Sequence, residues 1–258
     1  MTSRTTNSAR IAEHFSKAAA DYHHHHQIQQ YFGQQLLEPL LNQPRQRIVD
    51  IGCGPASMHS SLMALGKHYL GIDVAAAMLH QARQRTGQQN LFIQADAQAL
   101  PLQSNSVDLC FANLSLQWCA DLTQAVAEFK RVLRHQGQGA FNLPIEGSFS
   151  ELKWSWQQLD QTPHTQQFKP LEEILRAIAK TGLIDVQHRV IEHQQWFSDL
   201  PSLLRSIKGV GANFVDRADS PGLMTPRRFE QLSQHYDRFR TSKGVPLTWR
   251  VAAFYIKH

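Results

Sequence analysis

The strongest constraint on this chain is an alternation. Short apolar runs, each stopped by glycine or a polar residue, recur with helix-period segments between them. Arg47 to Gly52 (RIVDIG), His68 to Val74 (HYLGIDV), Asn90 to Asp96 (NLFIQAD), Val107 to Ser115 (VDLCFANLS) and Gly137 to Pro144 (GQGAFNLP) read in turn as buried strands. Met78, Leu79 and Ala82 share a helical face between the second and third runs. Leu122, Val126, Phe129, Val132 and Leu133 do so between the fourth and fifth. Such alternation implies an α/β chain whose parallel sheet is covered on both faces. Leu171 to Leu183 reads as a helix ended by Gly182. Asp185 to Phe197 supplies a sixth strand, and Trp249 to His258 a last one. The connection between those two strands has a helical pattern and is far longer than usual. The opening stretch to about Tyr31 is polar and helical in pattern.

With 258 residues the chain can bury a sizeable core, and its 42% hydrophobic content is that of a globular protein. No apolar run approaches a membrane span, and MTSRTTNSARIAEHF lacks the continuous apolar stretch of a secretory signal. Cys53, Cys110 and Cys119 are odd in number and lack framework spacing, which suits a reducing cytoplasm. A formal charge of +5 permits an acidic partner. No basic stripe interleaved with aromatics points to nucleic acid.

The polar residues that stop the strands carry the chemistry. VDIGCGPASM puts Asp50, Gly52 and Gly54 at the end of the first strand, where glycines let the backbone approach a ligand closely. A phosphate-binding fingerprint wants a third glycine, and this chain has Pro55-Ala56 instead. Asp73 ends the second strand, where an acid accepts from both hydroxyls of a ribose. Asp96, followed by Ala97, ends the third and is placed to accept from an adenine amine, and Asn113 ends the fourth. These groups converge over one crevice, where open α/β sheets bind ligands.

On the stretches VDIGCG, GIDVAAAML, ADAQALPLQSNSVDLCFANLSLQW and LTQAVAEFKRVLRHQGQGAF, the chain resembles the class I S-adenosylmethionine-dependent methyltransferases. The resemblance covers about residues 45 to 145. It implies a Rossmann-like, seven-stranded sheet with the last strand antiparallel and S-adenosylmethionine as cofactor. Asp73 would then hold the ribose, Asp96 the adenine amine, and the Gly52–Gly54 backbone the methionine portion, with Met78 packed on the adenine. FSKAAADY, ANLSLQWC, LRSIKGVGAN, GLMTPRRFEQL and GVPLTW extend the likeness over nearly the whole chain, to the malonyl-[acyl-carrier protein] O-methyltransferase family. That resemblance implies methyl transfer to the free carboxyl of a malonyl thioester at the start of the pimeloyl chain of biotin. The partner would be a malonyl-loaded acyl carrier protein, with neither nucleic acid nor membrane involved. One departure is Arg250 after LTW, where an acid is expected. The chain then divides, within a single domain over 1–258, into an N-terminal helical cap (1–44), a cofactor-binding core (45–145) and a helical substrate- and carrier-binding insert (198–245). Methyltransferases of another small acid, of a quinone precursor or of nucleic acid share the sheet but not the insert motifs.

The residues agree with a carboxylate acceptor. Such a group is already ionised at pH 7 and needs no general base, whereas a phenol or amine would demand one. It does need a cation, and an Arg fork can hold one edge of a carboxylate. Arg205 and Lys208 at i and i+3 share a helix face, followed by Asn213. Either cation is a candidate for the malonyl carboxylate, the other for an acidic carrier. Arg217, Arg227 and Arg228 are further candidates. Thr225 and Pro226 read as N-cap and first helical position, which puts Arg227 and Arg228 in a first turn, a poor place for cations unless an anion comes from outside. Tyr22 offers a phenol near the reacting sulfur. His23 to His26 point about 100° apart in succession and read as a solvated helix face, with no metal expected.

Overall fold

The computed structural model describes residues 8–17, 27–41, 45–87, 89–209 and 225–258. Its centre is a seven-stranded sheet of β1 (Arg45–Ile51), β2 (Gly66–Asp73), β3 (Leu91–Gln94), β4 (Val107–Asn113), β5 (Leu133–Pro144), β6 (Val186–Phe197) and β7 (Val245–Lys257), in the order β3-β2-β1-β4-β5-β7-β6. Strands β1 to β5 pair in parallel. β7 slots between β5 and β6 and runs antiparallel to both, as the resemblance implies. The chain steps outward from β1 to β3 and then returns to place β4 on the other flank of β1. Loops leaving β1 and β4 therefore diverge and open a crevice at the carboxyl ends of the strands.

Helices cover both faces. On one lie α5 (Leu122–Val132) and α7 (Leu171–Ala179). Asp121 starts α5 by accepting the Gln124 N–H at 3.1 Å, and the 3.6-residue period then buries Ala125, Val126, Phe129 and Val132. Phe129 meets Phe141 edge-on and Phe141 stacks on Phe254, with centroids 5.8 and 5.0 Å apart. Side chains this deeply buried contribute roughly 1.5–3 kcal/mol each. On the other face lie α2 (Gln27–Leu37), α3 (His59–Met63) and α4 (Ala76–Thr86). There Leu36, Leu62 and Leu79 join Leu109 and Phe111 in a second core.

A third cluster lies beyond the carboxyl ends of β5 and the start of β7. Here α6 (Ser150–Gln157), α8 (Leu200–Gly209) and α9 (Pro226–Asp237) contribute Leu152, Leu203, Leu232 and Tyr236 around Phe32, Phe149 and Trp249. Thr225 caps α9 as expected, accepting the Arg228 N–H at 3.2 Å with Pro226 in the first turn. Several boundaries differ from the sequence reading: α7 ends at Ala179 rather than Leu183, and β7 begins at Val245 rather than Trp249. α2 continues past Tyr31 to Leu37 because Phe32, Leu36 and Leu37 keep a buried stripe. β5 begins at Leu133 rather than Gly137, with an irregular register against β4 between Val107 and Leu109. No helix among the described residues is long and apolar enough to cross a membrane.

Candidate functional site

The glycine loop after β1 is shaped by backbone demands. The N–H groups of Gly52 and Cys53 both reach the Ile72 carbonyl, at 2.7 and 3.0 Å, and this pulls the loop back over β2. The turn needs left-handed backbone at Gly52 (φ 69°), Gly54 (φ 54°) and Ala56 (φ 57°). At position 56 this chain holds alanine in a conformation that costs an L-residue about 1–2 kcal/mol. A Cβ on Gly52 would lie 2.2 Å from Ser115 Cβ, whereas one on Gly54 would meet nothing within 4 Å. Gly52 is glycine for packing, and Gly54 leaves an open space.

That space is a cleft lined by Gly52, Gly54, Asp73, Met78, Asp96, Ala97 and Asn113. Asp73 is buried and locks the loop, its two oxygens taking the N–H groups of Gly54 (2.9 Å) and Ala75 (2.8 Å). Burial raises its pKa, and these backbone donors oppose the rise. Asp96 is half-buried and accepts from Gln98 N at 2.8 Å and Gln98 Nε2 at 3.0 Å. Asn113 lines the cleft, but its amide is engaged elsewhere. Nδ2 donates to the Gln29 carbonyl at 2.8 Å, and Oδ1 accepts from Asn142 Nδ2 at 3.0 Å. Fully buried Asn142 also donates to the Phe32 carbonyl and accepts from Leu114 N, so the pair ties α2 to the ends of β4 and β5.

Asp50 is a correction. Successive strand side chains point to opposite faces. Ile51 faces the cleft, and Asp50 faces away, beneath the loop, where Tyr69 Oη donates to it at 2.9 Å. The sequence reading also missed part of the wall. Residues 8–17 form a helix, α1, that brings Ser8, Ile11 and Phe15 to the cleft. Ser8 Oγ donates to Asp96 Oδ2 at 2.5 Å, Phe15 meets Trp118 edge-on at 5.3 Å, and Phe15 packs with Ala75 and Met78. The i, i+4 pair Ile11 and Phe15 in a polar segment was the signal available.

The acceptor candidates are placed differently. Arg205 and Lys208 are exposed on α8 and Arg227 on α9, and none of the three lines this cleft. Arg205 lies near Asp199, whose carboxyl is held low mainly by Ser202 and to a lesser degree by Arg205 and Arg240. Arg228 is engaged within the chain. It is ion-paired to Asp160 and lies over the Trp156 ring, 5.8 Å from its centroid. The anion for α9's first turn therefore comes from within the chain, and His164 shares it at 2.9 Å. Tyr22, His23 to His26, Asn213 and Arg217 lie outside the described residues.

With this geometry in place, the likeness to known proteins is informative. A methyltransferase domain family matches residues 49–141. The malonyl-[acyl-carrier protein] O-methyltransferase of Erwinia billingiae is 35% identical over 96% of both chains, and that of Salmonella typhimurium 33% over 95% of both. The biotin biosynthesis bifunctional protein BioHC of Cellvibrio japonicus is 32% identical over 94% of this chain and 48% of its own length. Among solved structures, the YcgJ protein from Bacillus subtilis superposes with a TM-score of 0.60 at 18% identity, covering 88% of this chain and 97% of that one. Geranyl diphosphate C-methyltransferase from Streptomyces coelicolor superposes with a TM-score of 0.52 at 17% identity, covering 87% and 76%. The sheet is that of the class I methyltransferases, and the methyl donor is S-adenosylmethionine. The cleft fits this donor. Gly54 leaves room where a side chain would intrude, and acids stand at the ends of β2 and β3.

Proposed function

This chain belongs to the malonyl-[acyl-carrier protein] O-methyltransferase family, and from that premise we propose that it methylates the free carboxyl of a malonyl thioester carried on an acyl carrier protein, the step that opens pimeloyl-chain synthesis for biotin. The observation that carries this reading is the extent of the likeness, 96% of this chain and of its Erwinia relative, including the insert. When bound, S-adenosylmethionine supplies an electrophilic methyl group on a cationic sulfur. Asp73 is assigned to the ribose hydroxyls, Asp96 and Ala97 to the adenine edge, Met78 to the adenine face, and the Gly52 and Gly54 backbone to the methionine portion. Asn113 is assigned to shaping that cradle by holding α2. Ile11 and Phe15 line the cleft and are assigned to keeping water from the donor.

The cleft chemistry supports an acceptor that arrives already ionised. Cys119 lines it, but burial lifts its thiol to about 12, so it is no base near neutrality. Asp73 is occupied with backbone donors. Catalysis then rests on alignment of a carboxylate with the methyl group, a proximity effect. Tyr22 is assigned to the vicinity of the reacting sulfur. Arg205, Lys208, Asn213, Arg217 and Arg227 are assigned to the acidic acceptor and its carrier, Arg205 being the first candidate for the malonyl carboxylate. The test is incubation with labelled S-adenosylmethionine and malonyl-loaded carrier protein. A base-labile methyl ester is expected. Absence of ester, with another small acid or a quinone precursor methylated instead, removes this acceptor.

A further inference from the structure

Asp96 stands where the base of the cofactor is assigned, and the loop around it restricts what it can accept. The Ala99 N–H donates to the Asp96 carbonyl at 3.0 Å and the Gln98 N–H to Asp96 Oδ1 at 2.8 Å, so the aspartate bends the chain back onto its own side chain. That bend returns the Gln98 side chain to the same carboxylate, with Nε2 3.0 Å from Oδ1 and 3.2 Å from Oδ2. The far end of the amide is held by the start of α5, where the Asp121 N–H donates to Gln98 Oε1 at 2.9 Å. Gln124 Nε2, from the first turn of that helix, donates to the Gln98 carbonyl at 3.3 Å. A backbone N–H only donates and a carboxylate only accepts, which leaves the buried Gln98 amide one orientation. Turned over, it would set donor against donor at Asp121 and acceptor against acceptor at Asp96. Gln98 lines the cleft beside Asp96, so this clamp is part of the wall itself.

From the other side Ser8 Oγ donates to Asp96 Oδ2 at 2.5 Å. Oδ1 carries both Gln98 donors, whereas Oδ2 carries Ser8 and only the longer arm of the Gln98 fork. Since each carboxylate oxygen has two lone pairs, Oδ2 is the oxygen with room for a ligand's donor. We propose that Gln98 is the positioning residue of base recognition: it clamps Asp96 so that Oδ2 meets the base only as an acceptor, and the site thereby selects a 6-amino purine over a 6-oxo one. This rests on the cofactor assignment and not on the acceptor. A 6-amino group donates to Oδ2. A 6-oxo group in its place sets oxygen against oxygen, and a clamped carboxylate cannot turn to relieve the contact. Released from Gln98, the terminal torsion of Asp96 has a broad, roughly two-fold range. The acid is then free to swing from an oxo group and meets an amine less well. Ser8 does not replace the clamp, because a hydroxyl rotates to donate or accept as its neighbour requires.

Calorimetry with S-adenosylhomocysteine and its 6-oxo analogue S-inosylhomocysteine tests this, since the two differ only at the edge of the purine. The wild-type protein should prefer the adenosyl ligand by about 100-fold or more, as sites built around a ligand's hydrogen-bond donor do. Gln98→Met keeps the bulk and removes the donor. The preference should then fall about tenfold, through weaker adenosyl binding and unchanged or tighter inosyl binding. Gln98→Glu, measured at pH 8, loses the donor but keeps an acceptor for the Asp121 N–H, so the start of α5 is preserved. It should lose the preference in the same way, whether or not Gln98→Met folds. Ser8→Ala should move both affinities together and leave their ratio within roughly twofold, because a rotating hydroxyl does not choose between the two bases. If Gln98→Glu weakens both ligands alike, as a merely structural role would, or if Ser8→Ala loses as much of the preference, the proposal is overturned. A wild-type protein that binds both ligands equally overturns it at the contact between Asp96 and the base. One that binds neither overturns instead the cofactor assignment on which it rests.

Discussion

Gly52 and Gly54, two residues apart in one loop, should fail in opposite ways when each is changed to alanine. Both sit at positive φ, so each alanine carries the left-handed cost of about 1–2 kcal/mol. Ala56 already tolerates that conformation in the same turn. At Gly54 little else is lost in the empty protein, because the new Cβ meets nothing within 4 Å. The unfolding midpoint should fall by roughly 2–8 °C, at about 2–4 °C per kcal/mol for a chain near this size. At Gly52 the Cβ lands 2.2 Å from Ser115 Cβ and 2.7 Å from its Oγ. Ser115 can yield only by giving up its 2.8 Å hydrogen bond to the Ile51 carbonyl. Overpacking adds about 1–3 kcal/mol, so this midpoint should fall further. Ligand binding should reverse the order. The Gly54→Ala methyl stands where the cofactor's methionine portion is assigned, and S-adenosylmethionine should bind at least tenfold more weakly, about 1.4 kcal/mol. Thermal unfolding without ligand, paired with calorimetry on the folded variants, reads both effects. If Gly54→Ala binds within twofold of wild type, or if affinity merely tracks stability across the two variants, the cradle is not at Gly54.

Asp73→Ala should raise the cofactor Kd at least tenfold, since charge-assisted hydrogen bonds contribute about 1.5–3 kcal/mol and the N–H groups of Gly54 and Ala75 lose their acceptor too. Wild-type affinity in a folded variant would remove Asp73 from the site. Arg205→Ala should lower kcat/KM for the acceptor about 30-fold while cofactor affinity holds, if the side chain clamps the malonyl carboxylate. An effect confined to the carrier's KM, with coenzyme A thioesters unaffected, would make it a docking residue. Arg228→Ala should act on stability instead, lowering the unfolding midpoint by the equivalent of roughly 1 kcal/mol as Asp160 loses one of its two partners. An unchanged midpoint with a raised carrier KM would return Arg228 to the acceptor surface. Added salt should slow the carrier-bound acceptor more than a coenzyme A thioester, because screening removes steering by the basic insert. Equal salt slopes would argue against carrier docking.

The sheet and much of the lining of the cleft were legible because strand ends are marked in sequence. An apolar run stopped by Asp or Gly locates both the edge of the sheet and the groups that project from it, as at Asp73 and Asp96. The same rule misassigned Asp50, because a strand end has two faces. Alternation with Ile51 decides which residue looks into the cleft. Long-range pairing was out of reach. Asp160 and Arg228 are 68 positions apart, and only the folded chain shows that a cation in the first turn of α9 has an internal partner. Asn142, set in the apolar GAFNLP, carried no sign that the helical carbonyl of Phe32, the side-chain amide of Asn113 and the N–H of Leu114 would depend on it.

The position of β7 bears on how the molecule is made. Strands β1 to β5 lie between residues 45 and 144 and can pair among themselves as the chain is synthesised. β6 cannot join them, because its place in the sheet is on the far side of a strand that begins at Val245. Until that segment emerges, β5 presents an open edge and β6 has no neighbour, the state most open to pairing with another chain. The last strand also carries Leu247, Trp249 and Val251 into the cluster beneath α6, α8 and α9, so that helical end of the protein is assembled last. A ribosome stalled before Val245 should hold a nascent chain in which β1 to β5 are paired and the cluster around α6, α8 and α9 is unassembled. Pulsed proteolysis should cut it between Pro144 and the stall site and spare the strands before.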